Sequence, residues 1–487
     1  MPNNSNLKHK TLSGVFWQLL QKGSTQVVAF VVSIVLARLV DPAEFGIVAL
    51  TSIFMAVAGV LSDSGLGASL VQKKEIDELD KNTVFYFGLL LSICLYGILF
   101  ACAPYIARMN KVEELTSIIR VAGLGLLLSS FGSVQSSLVM RGMDFKKYFY
   151  ATLVSTIISA VVGLGMAFKG YGVWALVAQG LVRTVMGIVV LFSMVRWIPR
   201  LIFSWERLKH LFSFGFNLTA ASLIGTVCNE LRGFLIGLRF TPADLAYYNR
   251  GNGIPGLVND NINGTISTVL FPAITQLQDD REAVKRSMRR AMMTSTFFIA
   301  PLMTILAASS RQIVLLLYTD RWVSAIPFMQ VISFGYIFSV LGATNLQAIN
   351  AIGRSDITFK MEFIKKPIYL GSIVIGLMIS PLAIAAANTI YSIIGSMINA
   401  FPNKKLIGYS YSEQLADIFP QLALAGIVGG ITWWIGRLEG PIQLIIVAQL
   451  IAGIGLYLGL AKLFRIESLQ YVMSVLDEYK STNKRNI

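Results

Sequence analysis

The feature that most constrains this chain is a hydrophobic hairpin that occurs twice. Between Gly14 and Val71, two long apolar segments flank a tight acidic turn, Asp41-Pro42-Ala43-Glu44. Two hundred residues later, Thr241-Pro242-Ala243-Asp244 occupies the matching turn between another two apolar segments. Ser13, Phe16, Val27, Pro42, Ala43 and Leu70 recur as Ser213, Phe216, Val227, Pro242, Ala243 and Leu270, all at one offset. Val121, Gly125, Ser129 and Gly132 recur as Val331, Gly335, Ser339 and Gly342, at an offset ten residues larger. Self-similarity over segments this long and this apolar marks a duplicated membrane unit.

Lipid is the only solvent that suits the rest of the chain. Of 487 residues, 55% are hydrophobic and 14% charged, where a soluble protein carries about a quarter charged residues. Apolar runs of about 20 residues, the length that crosses a bilayer, fill most of the sequence. The pattern predicts fourteen helices. The first six run 14–40, 45–71, 83–107, 115–140, 148–168 and 173–196. Their repeat partners run 212–238, 253–278, 289–308, 325–350, 361–380 and 383–401, and a last pair runs 416–436 and 441–464. The expected fold is an all-α polytopic membrane protein of about 14 transmembrane helices, with two six-helix lobes in a parallel internal repeat plus two extra C-terminal helices. The expected domains are a first lobe over 1–196, a cytoplasmic linker over 197–211, a second lobe over 212–401, the extra pair within 402–464 and a cytoplasmic tail over 465–487.

Charge sets the orientation. Of 41 Lys and Arg, nine fall in one set of loops: Arg38, Arg108, Lys111, Lys169, Arg239, Arg250, Arg311, Arg321 and Arg437. Four, Lys22, Arg120, Arg183 and Arg232, fall well inside the predicted spans, and the other 28 lie in the opposite loops, at the span ends beside them and in the tails. The positive-inside rule then puts both termini in the cytoplasm. The net charge of +15 is mostly this topology signal, so nucleic acid is not an expected partner. No phosphate-binding G-x-x-x-x-G-K-[ST] run occurs, and two histidines and three cysteines offer no metal spacing. No cofactor and no enzymatic chemistry are expected.

The candidate functional residues are the charges inside the spans, each costing about 2.5–3.5 kcal/mol at a helix centre unless paired or hydrated. Lys22 and Asp63 lie at equal depth, about 12 Å, on consecutive helices and can pair. Ser222 and Asn263 stand at the same positions in the second repeat. Gln18, Thr25, Gln26 and Ser33 mark one polar face around Lys22. Glu230 and Arg232 are two residues apart, so they leave their helix on different sides; one of them meets Asp260 or a neighbouring asparagine. Span eight, with Asn259, Asp260, Asn261 and Asn263 between Pro255 and Pro272, must face protein or water and is a candidate for a broken helix. Arg183, in the middle of span six, is the strongest candidate for an anion contact, with a salt bridge to one of the three acids as its structural alternative. Arg120 can snorkel. Lys365 and Lys366 sit at the inner mouth of span eleven, where topology explains them as well as an anionic head group does. Together Lys365, Lys366, Lys22, Arg183 and Arg232 suggest a basic track between the two halves that guides an anionic group across, with Asp63, Glu230 and Asp260 available for ion coupling.

Several motifs match a known family in order and spacing. The stretch from Ala37 to Gly46 (ARLVDPAEFG) resembles the first-hairpin signature of the polysaccharide transporter family. That family belongs to the multidrug/oligosaccharidyl-lipid/polysaccharide exporter superfamily. The stretch from Leu61 to Gln72 (LSDSGLGASLVQ) resembles the segment after that signature in the same family. Tyr247-Tyr248-Asn249-Arg250-Gly251, Phe271-Pro272-Ala273 and Tyr318-Thr319-Asp320-Arg321-Trp322 are similar to its WzxC-like, colanic-acid-exporter-like branch. The resemblance implies two six-helix lobes around a central cavity, in a bacterial inner membrane. It also implies flipping of undecaprenyl-diphosphate-linked oligosaccharide, usually coupled to a proton or sodium gradient. The partners it implies are the lipid-linked oligosaccharide, membrane lipids, and glycan polymerase and export machinery.

Two other functions compete. A MATE-like drug exporter of the same superfamily would prefer a cavity dominated by acids, whereas four bases stand against three acids within the spans. A membrane glycosyltransferase or polymerase normally needs a sizeable outer catalytic loop, and the outer loops here are short.

Overall fold

The computed structural model describes residues 4–474 and 477, with side chains described except at 4–12, 15, 213, 214 and 217. Its described residues form helices and no strand. They divide into two compact units, Met1–Ala246 and Tyr247–Ile487.

Unit one contains α1 (Asn4–Leu39), α2 (Pro42–Leu50), α3 (Ser52–Asp63), α4 (Leu66–Gln72), α5 (Glu78–Asn110), α6 (Leu115–Gly142), α7 (Phe145–Phe168), α8 (Val173–Met194) and α9 (Trp205–Arg239). Helix α10 (Pro242–Thr275) begins in unit one and continues into unit two. The main packings in unit one are α1 on α7, α7 on α8, α5 on α6 and α6 on α8. Helix α9 packs on α2, α3, α4 and α5. The compact unit therefore takes in residues 212–246, which the repeat assigns to the second lobe.

Unit two adds α11 (Arg281–Ala308), α12 (Ser310–Leu317), a 3-10 turn (Asp320–Ala325), α13 (Ile326–Ile337), α14 (Ser339–Ala351), α15 (Ser355–Leu377), α16 (Pro381–Leu406), α17 (Tyr411–Ile435) and α18 (Ile442–Leu463). Its core is built on α11, whose Met288, Met292, Ile299, Ala300 and Met303 are fully buried. Helix α11 packs against α13, α14, α17 and α18.

Eleven helices among the described residues are long and apolar enough to cross a membrane. The chain is a multi-pass membrane protein. Spans seven, eight and eleven of the predicted fourteen correspond to α9, α10 and α15, which have 35, 34 and 23 residues. They are long enough to cross but more polar than the eleven, because Glu230, Arg232, the α10 asparagines, Lys365 and Lys366 lie along them.

The helix breaks differ from the expected ones. Span eight is continuous as α10, with Pro255 and Pro272 inside it. Its polar side chains bond back to the helix: Asn261 Nδ2 donates to the Leu257 carbonyl (2.7 Å), and the Thr265 and Thr268 hydroxyls to the Asn261 and Gly264 carbonyls (both 2.8 Å). Span two is broken instead, and span ten is interrupted at Phe338, between α13 and α14. Helix α3 ends at Asp63, Ser64 and Gly65 take left-handed angles (φ 45° and 64°), and α4 restarts at Leu66.

The two repeated turns prove to be helix starts. Glu44 Oε2 accepts from the Asp41 N–H at 3.3 Å, with Pro42 opening α2. Asp244 Oδ2 accepts from the Thr241 N–H (3.1 Å), and Thr241 Oγ1 from the Asp244 N–H (3.2 Å). Both are capping boxes, which satisfy orphan N–H donors at a helix N-terminus. They also touch each other, since a Cβ on Gly46 would overlap the Pro242 carbonyl.

The segment from Val195 to Ser204 lies extended and pinned to the start of α5. Trp197 Nε1 donates to Glu78 Oε2 (3.0 Å), the Arg200 N–H to Asn82 Oδ1 (2.5 Å) and the Ser204 N–H to Thr83 Oγ1 (3.2 Å). Beside them, Arg207 meets Asp77 at 3.2 Å and Lys73 meets the buried Asp80 at 2.6 Å. The Asp77 carboxyl is held below its ordinary range, foremost by the hydrogen bond from the Asp80 N–H and further by Arg207 and Lys73. A carboxyl whose folded pKa is depressed stabilises above its unfolded value, about 3.9, and that contribution is lost as pH falls through the folded value. Hydrogen exchange in 195–204, corrected for its intrinsic pH dependence, is therefore expected to be flat from pH 7 to about 4 and to accelerate below that. Asp77→Asn removes its part of this acid step; an identical acid step in that variant would show that Asp77 does not hold the segment.

Candidate functional site

A cavity of about 640 Å³ lies inside unit one, walled by α3 to α8. That volume is in the range of small-molecule sites. The break between α3 and α4 shapes one side and brings Asp63 to the wall. The opposite side is α8, where Arg183, Thr184 and Gly187 face the space. Arg183 is ten residues into a helix of 22, about 15 Å from its start. It also lines a second cavity of about 260 Å³, with Ala29, Ser33 and Phe45 on one side and Gln179 on its own helix. Arg183 is the one residue that lines both spaces.

The third side of the larger cavity is a hydroxyl stripe on α6: Ser129, Ser130, Ser133, Ser136 and Ser137. Four of these hydroxyls donate to carbonyls of their own helix: Ser129 to Leu126 (2.9 Å), Ser130 to Leu127 (2.7 Å), Ser133 to Ser130 (2.9 Å) and Ser137 to Ser133 (3.0 Å). With their protons spent on the backbone, these oxygens are left as acceptors. Thr152 and Ser155 on α7 do the same, at 2.8 and 3.0 Å. The wall therefore suits a ligand rich in hydroxyl donors, and Arg183 supplies the place for its negative charge. The stripe was legible: positions 129, 133, 136 and 137, and 130 with 133, follow helical spacing. Attention to charges alone passes over it.

The other predicted residues fall into two groups. Lys22 is exposed on α1 and shares a helical face with Ala29, seven residues or about 10 Å away. It thus lies on the stripe that leads to the smaller cavity. Lys22 and Asp63 make no ion pair among the described residues, so the expected clip between them is absent. Equal depth on consecutive helices does not bring two side chains together, because α1 packs on α7 while α3 packs on α5, α6 and α9. Arg183 likewise forms no salt bridge among the described residues.

The second group is tied up structurally. Glu230 Oε2 accepts from Ser52 Oγ of α3 at 2.8 Å, and Arg232 is half-buried on α9. Arg120 lies 4.1 Å over the Phe100 ring, with its Nε donating to the Phe100 carbonyl at 3.4 Å. Asp260 accepts from Asn259 Nδ2 (3.2 Å), and Asn263 Nδ2 donates to Asn259 Oδ1 (2.9 Å) and Ser339 Oγ (3.2 Å). Lys365 is 7% exposed and meets Glu362 at 2.5 Å, with Lys366 at 3.8 Å from the same carboxylate. Glu362 half-neutralises the pair, a partner that its i+3 and i+4 spacing made visible in the sequence.

Comparison with known proteins bears on this geometry. Residues 35–327 match the family described as polysaccharide biosynthesis protein. The chain is 25% identical over 408 residues to the succinoglycan biosynthesis transport protein ExoT of Rhizobium meliloti, covering 84% of this chain and 81% of that one. It is 25% identical over 424 residues to the lipopolysaccharide biosynthesis protein WzxC of Escherichia coli, covering 85% of each. Among solved structures, the lipid II flippase MurJ in an inward closed conformation aligns with a TM-score of 0.74, at 14% identity over 92% of this chain and 98% of that one. A MATE-family transporter of the MOP superfamily, inward-facing, aligns at 0.61, with 13% identity over 79% and 94%. At those identities the structures establish a shared fold.

Proposed function

The chain belongs to the polysaccharide biosynthesis protein family, and from that premise we propose that it flips undecaprenyl-diphosphate-linked oligosaccharide across a bacterial inner membrane. The observation that carries the proposal is Arg183, a cation midway along a membrane helix that faces a hydroxyl-lined cavity and has no acidic partner among the described residues. An unpaired charge at that depth needs water or an anion, and a diphosphate is an anion that a guanidinium binds through paired N–H donors. The serine and threonine oxygens accept hydrogen bonds from sugar hydroxyls. Lys22 hands the anion toward Arg183 along α1.

Both termini lie in the cytoplasm, as the distribution of Lys and Arg argues. The cavity opens to one side and then the other, and the work comes from a proton or sodium gradient, with Asp63 as the cavity acid best placed to take the ion. The protein transports its cargo unaltered and delivers it to glycan polymerase and export machinery. Deleting the gene tests this directly. Lipid-linked glycan is expected to accumulate on the cytoplasmic leaflet, and normal surface glycan with no accumulated precursor would refute the assignment.

A further inference from the structure

Unit two holds a cavity of its own, of about 600 Å³, where the C-terminal ends of α11 and α17 meet the start of α18. Its polar side is cationic: Arg311 and Arg437 line it with Gln312 and Gln330, and no carboxylate does. Neither arginine forms an ion pair among the described residues. Arg437 is held in place, its guanidinium 3.8 Å over the Trp433 ring. The turn that carries it is held too. Gln312, only 6% exposed, donates through Nε2 to the Gly436 carbonyl (2.7 Å), and Gln449 Nε2 donates to the Thr432 carbonyl (2.9 Å). A Cβ on Gly436 would come within 2.5 Å of Gln449 Nε2, so the turn fits closely. Glu439 is exposed nearby but does not line the space.

Leu315, Ile326, Leu438 and Ile445 supply apolar lining to the same cavity. Trp433 and Trp434, 46% and 62% exposed, mark the turn as a membrane–water interface. Two guanidiniums, one of them held by a ring, beside apolar side chains at that level match a molecule that carries both a phosphodiester and acyl chains. A free phosphate would use the arginines and leave the apolar lining to water.

We propose that this cavity binds the phosphodiester head group of an anionic phospholipid, with the two guanidiniums on the phosphate and the acyl chains along the apolar lining. The site is separate from the Arg183 cavity, and its occupancy does not depend on what the protein transports.

Native mass spectrometry of the purified full chain tests it, with dioleoyl-phosphatidylglycerol as probe. The wild type is expected to retain the lipid at least about tenfold more strongly than the Arg311→Gln, Arg437→Gln double variant, a difference of about 1.4 kcal/mol. Dioleoyl-phosphatidylcholine is expected to be retained weakly by both, and excess inorganic phosphate to leave the phosphatidylglycerol adduct intact. The charge control Arg108→Gln, Lys169→Gln, on exposed bases of unit one, is expected to behave as wild type. Equal retention by wild type and double variant overturns the proposal, as does equal loss in the charge control. Displacement by inorganic phosphate would make the site one for free phosphate and overturn the lipid assignment.

Discussion

Arg183→Ala is expected to stop glycan export while the protein stays in the membrane at normal abundance. A guanidinium that holds a diphosphate through paired, charge-assisted hydrogen bonds contributes about 3–4 kcal/mol, so its loss lowers transport roughly 100- to 1,000-fold. Stability should not fall, because Arg183 is exposed into its cavities and makes no ion pair among the described residues. Removing an unpaired charge from mid-helix in fact relieves a cost. Arg183→Lys keeps the charge without the fork and is expected to recover part of the rate. Lys22→Ala should stop transport as well, through the approach along α1. Precursor flipping in membrane vesicles reads the rate and immunoblotting the abundance. Normal flipping in both alanine variants would remove the cationic path from the account.

The largest effect on folding is expected at Gly65. It sits at φ 64°, and a Cβ there would overlap the Gly215 carbonyl oxygen of α9. A non-glycine residue in that conformation costs about 1–3 kcal/mol before any clash, and here the obstacle is backbone that cannot swing away. Gly65→Leu is therefore expected to lose about 4 kcal/mol or more, enough to remove most folded protein. Gly46→Leu, against the Pro242 carbonyl, should behave the same way. Gly97→Ala on α5 is the contrast: a Cβ there meets nothing within 4 Å, and alanine in a helix is favoured over glycine by about 0.5–1 kcal/mol. Thermal unfolding in detergent should separate the two classes. A Gly65→Leu protein that melts with wild type would show that α4 and α9 do not pack so closely.

These two predictions draw on different levels of the sequence. The Asp41 and Thr241 turns were readable because a capping box is local: its residues are three apart, and the repeat states them twice. Arg183 was readable because a charge inside an apolar run is conspicuous at any distance from its surroundings. What Arg183 faces was only half readable. The serine stripe of α6 carries helical spacing, but nothing local says that α3 breaks opposite it at Ser64 and Gly65. Span eight, with its prolines and asparagines, looked the more breakable, yet it runs on as one helix through both prolines, with Asn261, Thr265 and Thr268 bonded back onto it. The Lys22–Asp63 pairing failed for the same reason. Glu230 meets Ser52, 178 positions away, a contact fixed by how α9 packs on α3 and invisible to any helical period. Lys22 and Asp63 matched in depth but not in direction, and depth is all that counting along a helix supplies.

The central claim is that the cargo's diphosphate enters the unit-one cavity and meets Arg183. Photocrosslinking tests it most directly, with a photoreactive residue at Ser133 or at Ile427 and radiolabelled lipid-linked oligosaccharide in membrane vesicles. Ser133 lines the cavity, and Ile427 is 57% exposed on α17. The account predicts a labelled adduct at Ser133 that disappears when Arg183→Ala is added, with little labelling at Ile427. An adduct at Ser133 that persists without Arg183, or labelling at Ile427 alone, would contradict it.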